Sequence, residues 1–260
     1  MIKKVIRRFL HSLGYSIHKF KNIENYKSEF FDCEEEYLKI VNKVQGYTMT
    51  DAPAIINLIY ATEYLEINKI QGDIVECGVA HGGSMMAVAY LLSTMNSTFR
   101  NLYLYDLFYP GMPEGGKFDH FTEGGNATEA FILAGIIYDP SKKEVIKDTL
   151  NEVKDLMKNT GYPFERLKFI QGKVEDTIPA VIPDKIALLR LDTDLYESTK
   201  HELEQLYPRL ADHGVLIIDD YGAFKGARKA TDEYFKEKGI PIFLSRVGKT
   251  GCRFTIKPKI

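Results

Sequence analysis

From residue 72 to the end of the chain, short apolar runs alternate with longer amphipathic segments, and that rhythm leaves few folds open. A nearly all-apolar strand has to be covered on both faces, and amphipathic helices between such strands supply the cover. The pattern therefore predicts an α/β fold with a mostly parallel sheet between two helical layers. The expected strands are residues 74–77, 102–105, 167–171, 186–191, 215–218, 242–244 and 253–256, the last two close enough to pair antiparallel. Apolar periodicity predicts helices over 84–92, 142–157, 197–210 and 227–238, and helical structure over 28–70 ahead of the first strand. This divides the chain into an N-terminal helical extension, residues 1–70, and a sheet domain, residues 71–260, with no internal repeat. At 45% hydrophobic residues, 260 residues are enough to bury one substantial core.

In an open parallel sheet, ligands bind beyond the carboxyl ends of the strands. The first expected strand runs into Glu76-Cys77-Gly78-Val79-Ala80-His81-Gly82-Gly83-Ser84, a glycine turn that lets backbone approach a ligand before a helix begins. A nicotinamide dinucleotide site would have the spacing Gly-x-Gly-x-x-Gly, with a diphosphate on the helix N-terminus; this turn has Gly-x-x-x-Gly-Gly instead. Glu76 disfavours a diphosphate and suits a ligand with a cationic amino acid end. The second strand leads to Asp106, placed to accept hydrogen bonds from two ribose hydroxyls, and the third leads to Gly172-Lys173-Val174-Glu175-Asp176, a wall for adenine. In this order, these features favour an adenosine ligand without phosphates. Gly248-Lys249-Thr250 resembles the end of a phosphate loop, but the glycine required five positions earlier is Phe243.

The fourth expected strand ends in Asp192-Thr193-Asp194 and the fifth in Asp219-Asp220. If those strands are neighbours, the carboxylates converge and repel one another unless a cation neutralises them, and all-oxygen ligation selects a hard divalent ion such as Mg2+. The competing reading is helix capping by Asp194 or Asp220. Asp192 is the first candidate for a general base, with His81 and His120 as rivals. Residues 108–126, rich in glycine and with Pro110 and Pro113, form a long loop after the second strand and are expected to act as a substrate lid.

The formal net charge of -2 excludes the overall basic footprint of a nucleic-acid binder. Cys33, Cys77 and Cys252 are too scattered for a disulfide framework or a zinc site, which points to a reducing, cytoplasmic setting. There is no bilayer-length apolar run and no secretory leader. Ile2, Val5, Ile6, Phe9, Leu10 and Leu13 recur at helical spacing among Lys3, Lys4, Arg7 and Arg8. Such a basic amphipathic helix packs on its own domain or a second subunit, or makes weak contact with an anionic membrane surface.

Several stretches form a longer pattern that goes beyond the single motifs. They are Val75-Glu76-Cys77-Gly78 with Gly82-Gly83-Ser84, Tyr105-Asp106-Leu107-Phe108 with Gly111-Met112, and Val174-Glu175-Asp176-Thr177. Further on come residues 191–199, LDTDLYEST, then 206–210, LYPRL, and 214–222, GVLIIDDYG. Together these stretches resemble the macrocin O-methyltransferase family, which methylates sugar hydroxyls on antibiotics and related glycosides, and the resemblance covers roughly residues 45–240. It implies a class I methyltransferase fold (Rossmann-like, seven strands), S-adenosylmethionine as methyl donor and Mg2+ as activator. It places metal ligation on Asp192, Asp219 and Asp220, with Asp192 also the base. Glu76, Gly78 and Ser84 fall at the methionine part of the donor, Asp106 at the ribose, and Gly172, Val174 and Glu175 near the adenine. Thr48 and Met49 belong to a segment that closes over the donor. His81, His120, Tyr196 and Tyr221 are candidate substrate contacts. A homo-oligomer and a small-molecule or glycan substrate are implied as well. Lys117, Asp119, His120 and Phe121 in the lid do not match an antibiotic pathway, so a surface polysaccharide or a nucleotide-linked sugar fits equally. The rival functions are a nicotinamide oxidoreductase, a catechol-type methyltransferase and a binding module without activity.

Overall fold

The computed structural model describes residues 23–108, 113, 115–122 and 149–259. The basic helix expected at the N-terminus, residues 142–148 of one expected helix, and lid residues 109–112, 114 and 123–126 lie outside them. Three helices, α1 (Ile23–Glu29), α2 (Glu35–Val44) and α3 (Ala52–Ile67), precede the first strand. The α/β part follows as β1 (Asp73–Cys77), α4 (Gly83–Thr94), β2 (Leu102–Asp106), α5 (Thr149–Lys158), β3 (Leu167–Gln171), α6 (Val174–Thr177) and β4 (Ile186–Leu191). It closes with α7 (Tyr196–Leu206), β5 (Leu210–Ile218), α8 (Lys225–Glu237), β6 (Ser245–Val247) and β7 (Cys252–Ile256).

The sheet has seven strands in the order β3-β2-β1-β4-β5-β7-β6. β1 to β5 run parallel, while β7 is antiparallel to both β5 and β6. Alternation along each strand feeds two cores. Ile74, Leu102, Leu104, Leu188 and Ile217 join α2, α3 and α4 on one face. Val75, Cys77, Tyr105, Leu189, Leu216 and Ile218 meet α7 and α8 on the other. All six β4 residues are buried, Arg190 among them. No helix among the described residues is long and apolar enough to cross a membrane.

Two sequence expectations need correction. The strand expected over 242–244 forms instead at Ser245–Val247, because the turn after it sets the register. Gly248 and Gly251 adopt positive φ, and Val247 pairs with Cys252, so both strands are placed by that turn. The helix expected to run to residue 210 ends at Leu206, where Pro208 cannot continue the α-helical hydrogen bonds; Tyr207–Arg209 form a 3-10 turn. Leu210 then already belongs to β5, which starts five residues ahead of expectation (215 − 210).

Candidate active site

The glycine turn after β1 is built by close backbone approaches. Gly78 has a φ of 86° and a Cβ there would fall 1.9 Å from the Asp192 carbonyl oxygen. Its amide donates to the Tyr105 carbonyl at 2.9 Å, and the Asp192 amide donates to the Cys77 carbonyl at 2.8 Å. The ends of β1, β2 and β4 are thus held together at one glycine. At Gly83 a Cβ would fall 2.7 Å from the Tyr47 carbonyl carbon, so residues 47–50 lie directly against the turn. Within that segment Thr48 is half-buried, and its hydroxyl oxygen accepts from the Thr50 amide at 3.1 Å, while Met49 is 92% exposed.

Asp106 lies at the end of β2, but much of its hydrogen-bonding capacity goes to the turn itself. Its Oδ2 accepts from the Val79 and Ala80 amides at 2.6 and 2.9 Å, and its Oδ1 from the Phe108 amide at 2.7 Å. Gly172, after β3, donates its amide to the Asp106 carbonyl at 3.0 Å. Val174 is buried beyond it, Glu175 exposed, and Ser84 buried in the first turn of α4. The donor-site candidates Glu76, Gly78, Ser84, Asp106, Gly172, Val174 and Glu175 therefore gather beyond three adjacent strands, β3, β2 and β1.

One guanidinium joins this end to the carboxylate end. Nη1 of Arg190 donates to Glu76 Oε1 and to Asp192 Oδ2, both at 2.6 Å. Nη2 donates to Asp219 Oδ1 at 2.9 Å and to the Thr50 hydroxyl at 2.8 Å. Sequence reasoning missed Arg190 and Thr50; the available signal was a charged residue within the apolar run 186–191. It also missed Glu202, a buried carboxyl on α7 that accepts from the Thr193 hydroxyl at 3.0 Å and so steadies the Asp192–Asp194 turn.

Asp192, Asp219 and Asp220 each offer a carboxylate oxygen, all within 4.8 Å of one another. The Asp194 amide donates to Asp220 Oδ2 at 3.0 Å, from a residue with a φ of 64°. Neither aspartate caps a helix, since α7 and α8 have no side-chain cap. Burial, reinforced by neighbouring carboxylates, raises Asp192 and Asp220 well above the usual carboxylate range and pushes Asp194 up to about 8. Burial also pushes Glu76 up to about 7 and outweighs the opposing pull of Arg190.

Three carboxyl groups, Glu76, Asp192 and Asp219, thus share the Arg190 guanidinium, and Asp220 lies beside the two aspartates, so acidic groups outnumber the cation that faces them. The donor set at the aspartates is all oxygen, which is the chemistry that a hard divalent cation takes. Glu76 Oε2 is buried with no hydrogen-bond partner among the described residues, an acceptor suited to an ammonium group arriving at the glycine turn.

The described part of the expected lid, residues 115–122, is docked on the domain. Asp119 is buried; its Oδ2 accepts from the Gly116 amide at 2.6 Å and its Oδ1 from the Tyr196 amide at 2.8 Å. A Cβ on Gly226 would fall 1.9 Å from that Oδ1, so this segment, α7 and α8 meet at one point. The Lys225 amide donates to the His120 carbonyl and the Thr122 amide to the Ala223 carbonyl, each at 2.8 Å. His120 itself is half-buried, and His81 is exposed with Nδ1 3.9 Å from Glu152 Oε1. The hydroxyls of Tyr196 and Tyr221 are both engaged by α8, with Glu233 at 2.7 Å and Asp232 at 2.8 Å.

Residues 3–255 match the family model described as Macrocin-O-methyltransferase (TylF). The chain belongs to the macrocin O-methyltransferase family. It is an S-adenosylmethionine-dependent O-methyltransferase. Over 206 residues this methyltransferase is 33% identical to 8-demethyl-8-(2,3-dimethoxy-alpha-L-rhamnosyl)-tetracenomycin-C 4'-O-methyltransferase of Streptomyces olivaceus, covering 79% of this chain and 74% of that one. It is 24% identical over 261 residues to mycinamicin III 3''-O-methyltransferase of Micromonospora griseorubida, covering 96% and 92%. Among solved structures it is similar to the O-methyltransferase NovP, with a TM-score of 0.68 and 27% identity over 82% of this chain and 83% of that one. The likeness to the calicheamicin methyltransferase CalS11, at a TM-score of 0.58 and 16% identity, shows the fold.

Proposed function

We propose that this methyltransferase moves the methyl group of S-adenosylmethionine to a hydroxyl of a sugar, with a hard divalent cation such as Mg2+ held by Asp192, Asp219 and Asp220. The observation that carries the reading is the convergence of those three carboxylates beside the glycine turn, on neighbouring strands. The relatives support the sugar: the name of the Streptomyces olivaceus protein describes 4'-O-methylation of a compound bearing a rhamnosyl group.

In this reading Glu76, Gly78 and Ser84 receive the methionine end of the donor, with the free Oε2 of Glu76 accepting from its ammonium group. Asp106, Gly172, Val174 and Glu175 border the nucleoside, and Thr48 and Met49 close over it. Bound at the aspartates, the cation would lower the pKa of the acceptor hydroxyl and orient it toward the sulfonium methyl group. Asp192 accepts the hydroxyl proton, and Arg190, through its bond to Oδ2, fixes the orientation of that carboxylate. The oxygen takes the methyl group and S-adenosylhomocysteine departs. Residues 115–122, docked on α7 and α8, narrow the crevice on the acceptor side and keep water from the methyl group.

Calorimetric titration with S-adenosylhomocysteine and with NAD, each with Mg2+ and with a chelator, tests the donor assignment. Binding of the first alone is expected. Mass spectrometry of sugar acceptors incubated with S-adenosylmethionine, with and without chelator, then tests the reaction; methylation unaffected by the chelator would remove the cation from the reading.

A further inference from the structure

The strand order lays the crevice out in a line: glycine turn over β1, carboxylates over β4 and β5, then β7 and β6. On the β7 side, immediately past the carboxylates, is a concentration of guanidinium groups that the chemistry above does not use. Tyr221 follows Asp220 in the chain, and its ring centre lies 5.3 Å from the Arg228 guanidinium and 4.7 Å from that of Arg253. Arg228 is in the first turn of α8, and Arg253 pairs with Ile218, the last β5 residue before Asp219. Arg246 stands directly opposite Arg253 in the β6–β7 ladder. The turn joining those strands packs behind Tyr221, since a Cβ on Gly222 would fall 2.4 Å from the Thr250 carbonyl oxygen.

A single arginine stacked on a tyrosine is ordinary surface packing. Three arginines in one place are not, because like charges facing each other across strands destabilise a sheet. Asp232 is bonded to the Tyr221 hydroxyl at 2.8 Å, but the three arginines form no ion pair among the described residues, and their hydrogen bonds go to backbone carbonyls. Arg228 Nε donates to Tyr221 at 3.1 Å, Arg246 Nη2 to Lys249 at 3.1 Å, and Arg253 Nη1 to Gly251 at 2.7 Å and Cys252 at 3.4 Å. Among the described residues, both Nη groups of Arg228, and Nε and Nη2 of Arg253, have no acceptor. Arg228 and Arg253 are half-buried, so they remain reachable, and planar guanidinium forks match the oxygens of a phosphate.

We propose that Arg228 and Arg253, stacked on Tyr221, and Arg246, opposite Arg253, bind a phosphate group carried by the sugar acceptor. The inference rests on reading the neighbouring site as that of a sugar O-methyltransferase. The acceptor hydroxyl is at the carboxylates and the phosphate one strand further toward β7, where Asp192, Asp219 and Asp220 repel it less. The acceptor class is then a phosphorylated sugar, either a sugar monophosphate or a nucleoside diphosphate sugar, in preference to a neutral glycoside.

The test is calorimetry with uridine 5'-diphosphate, glucose 1-phosphate and methyl α-glucoside on the full chain, saturated with S-adenosylhomocysteine, in Mg2+ and in chelator. Wild type is compared with the double variant Arg228→Gln, Arg253→Gln and with Arg246→Gln. The phosphate-bearing probes are expected to bind wild type in both media, and the double variant should weaken them by at least about tenfold with S-adenosylhomocysteine affinity unchanged. Tighter binding of uridine 5'-diphosphate than of glucose 1-phosphate identifies the nucleotide-linked source, and equal binding the sugar monophosphate. Arg246→Gln relieves the cross-strand repulsion, so it should weaken the phosphate probes while melting no lower than wild type, a combination that a purely structural role would not produce. Phosphate affinity that is unchanged in the double variant, or that disappears in chelator, overturns the proposal. Wild type that fails to bind S-adenosylhomocysteine sinks the transferase reading instead, and that result is read independently of the phosphate probes.

Discussion

A guanidinium shared by Glu76, Asp192, Asp219 and Thr50 puts the donor end and the carboxylate end of the crevice under one side chain. Removing it strands three carboxylates in a buried site, so Arg190→Met should cost about 3–5 kcal/mol in denaturant unfolding. A milder loss would mean that water reaches those groups. Asp192→Asn is expected to lower turnover by about 10²–10⁴-fold, with S-adenosylhomocysteine affinity close to wild type; near-normal turnover would remove Asp192 as the base. Glu76 binds its proton more tightly in the fold than in the unfolded chain, because burial raises it to about 7. Its contribution to stability is therefore full below the ordinary glutamate value and is lost as pH rises through about 7. Melting temperatures followed across that range should fall more for wild type than for Glu76→Gln, and parallel curves would contradict the raised value. At this scale the acidic residues of the candidate site were legible as types placed at strand ends. Arg190 was not, since its identity alone does not say which carboxylates it meets.

The glycine turn works as an element because it carries strands and a loop at once. Gly78→Ala puts a methyl group against the Asp192 carbonyl at a φ that side chains avoid, so the variant should lose about 1–3 kcal/mol and bind S-adenosylhomocysteine poorly. Calorimetry and thermal unfolding of the same preparation check both outcomes. On the opposite side of segment 47–50, Asp51 caps α3 through the Ala54 amide at 3.1 Å and holds the Lys249 amide at 2.6 Å. Asp51→Ala should cost about 0.5–2 kcal/mol of stability. The strands β1 to β4 were legible within a residue or so, because burial on both faces writes itself as an unbroken apolar run. The sixth strand was misplaced by three residues (245 − 242), since an exposed edge strand has no such signature and its register came from the turn at Gly248 and Gly251.

Across the whole molecule, a formal net charge of -2 hides a strong local imbalance. Carboxylates collect over β4 and β5, and arginines over β7 and β6. A cation bound only by the folded site must stabilise the fold, so Mg2+ at about a hundredfold over its dissociation constant should add about 2.7 kcal/mol. Wild type should therefore melt at a higher temperature in Mg2+ than in chelator, while Asp219→Asn with Asp220→Asn should show no difference. A variant that responds like wild type would place the cation elsewhere.

By itself the sequence determined the α/β class, most strand positions, the glycine turn and the two aspartate clusters, because periodicity and strand ends depend on residues near one another in the chain. Only the tertiary structure decided which groups meet. Arg190 and Glu76 are 114 positions apart and pair because β1 lies beside β4 in a register that aligns them. Asp119 reaches the Tyr196 amide, segment 47–50 covers the glycine turn, and Arg246 faces Arg253 for the same reason: strand order and packing bring distant side chains together, and local spacing carries no record of either.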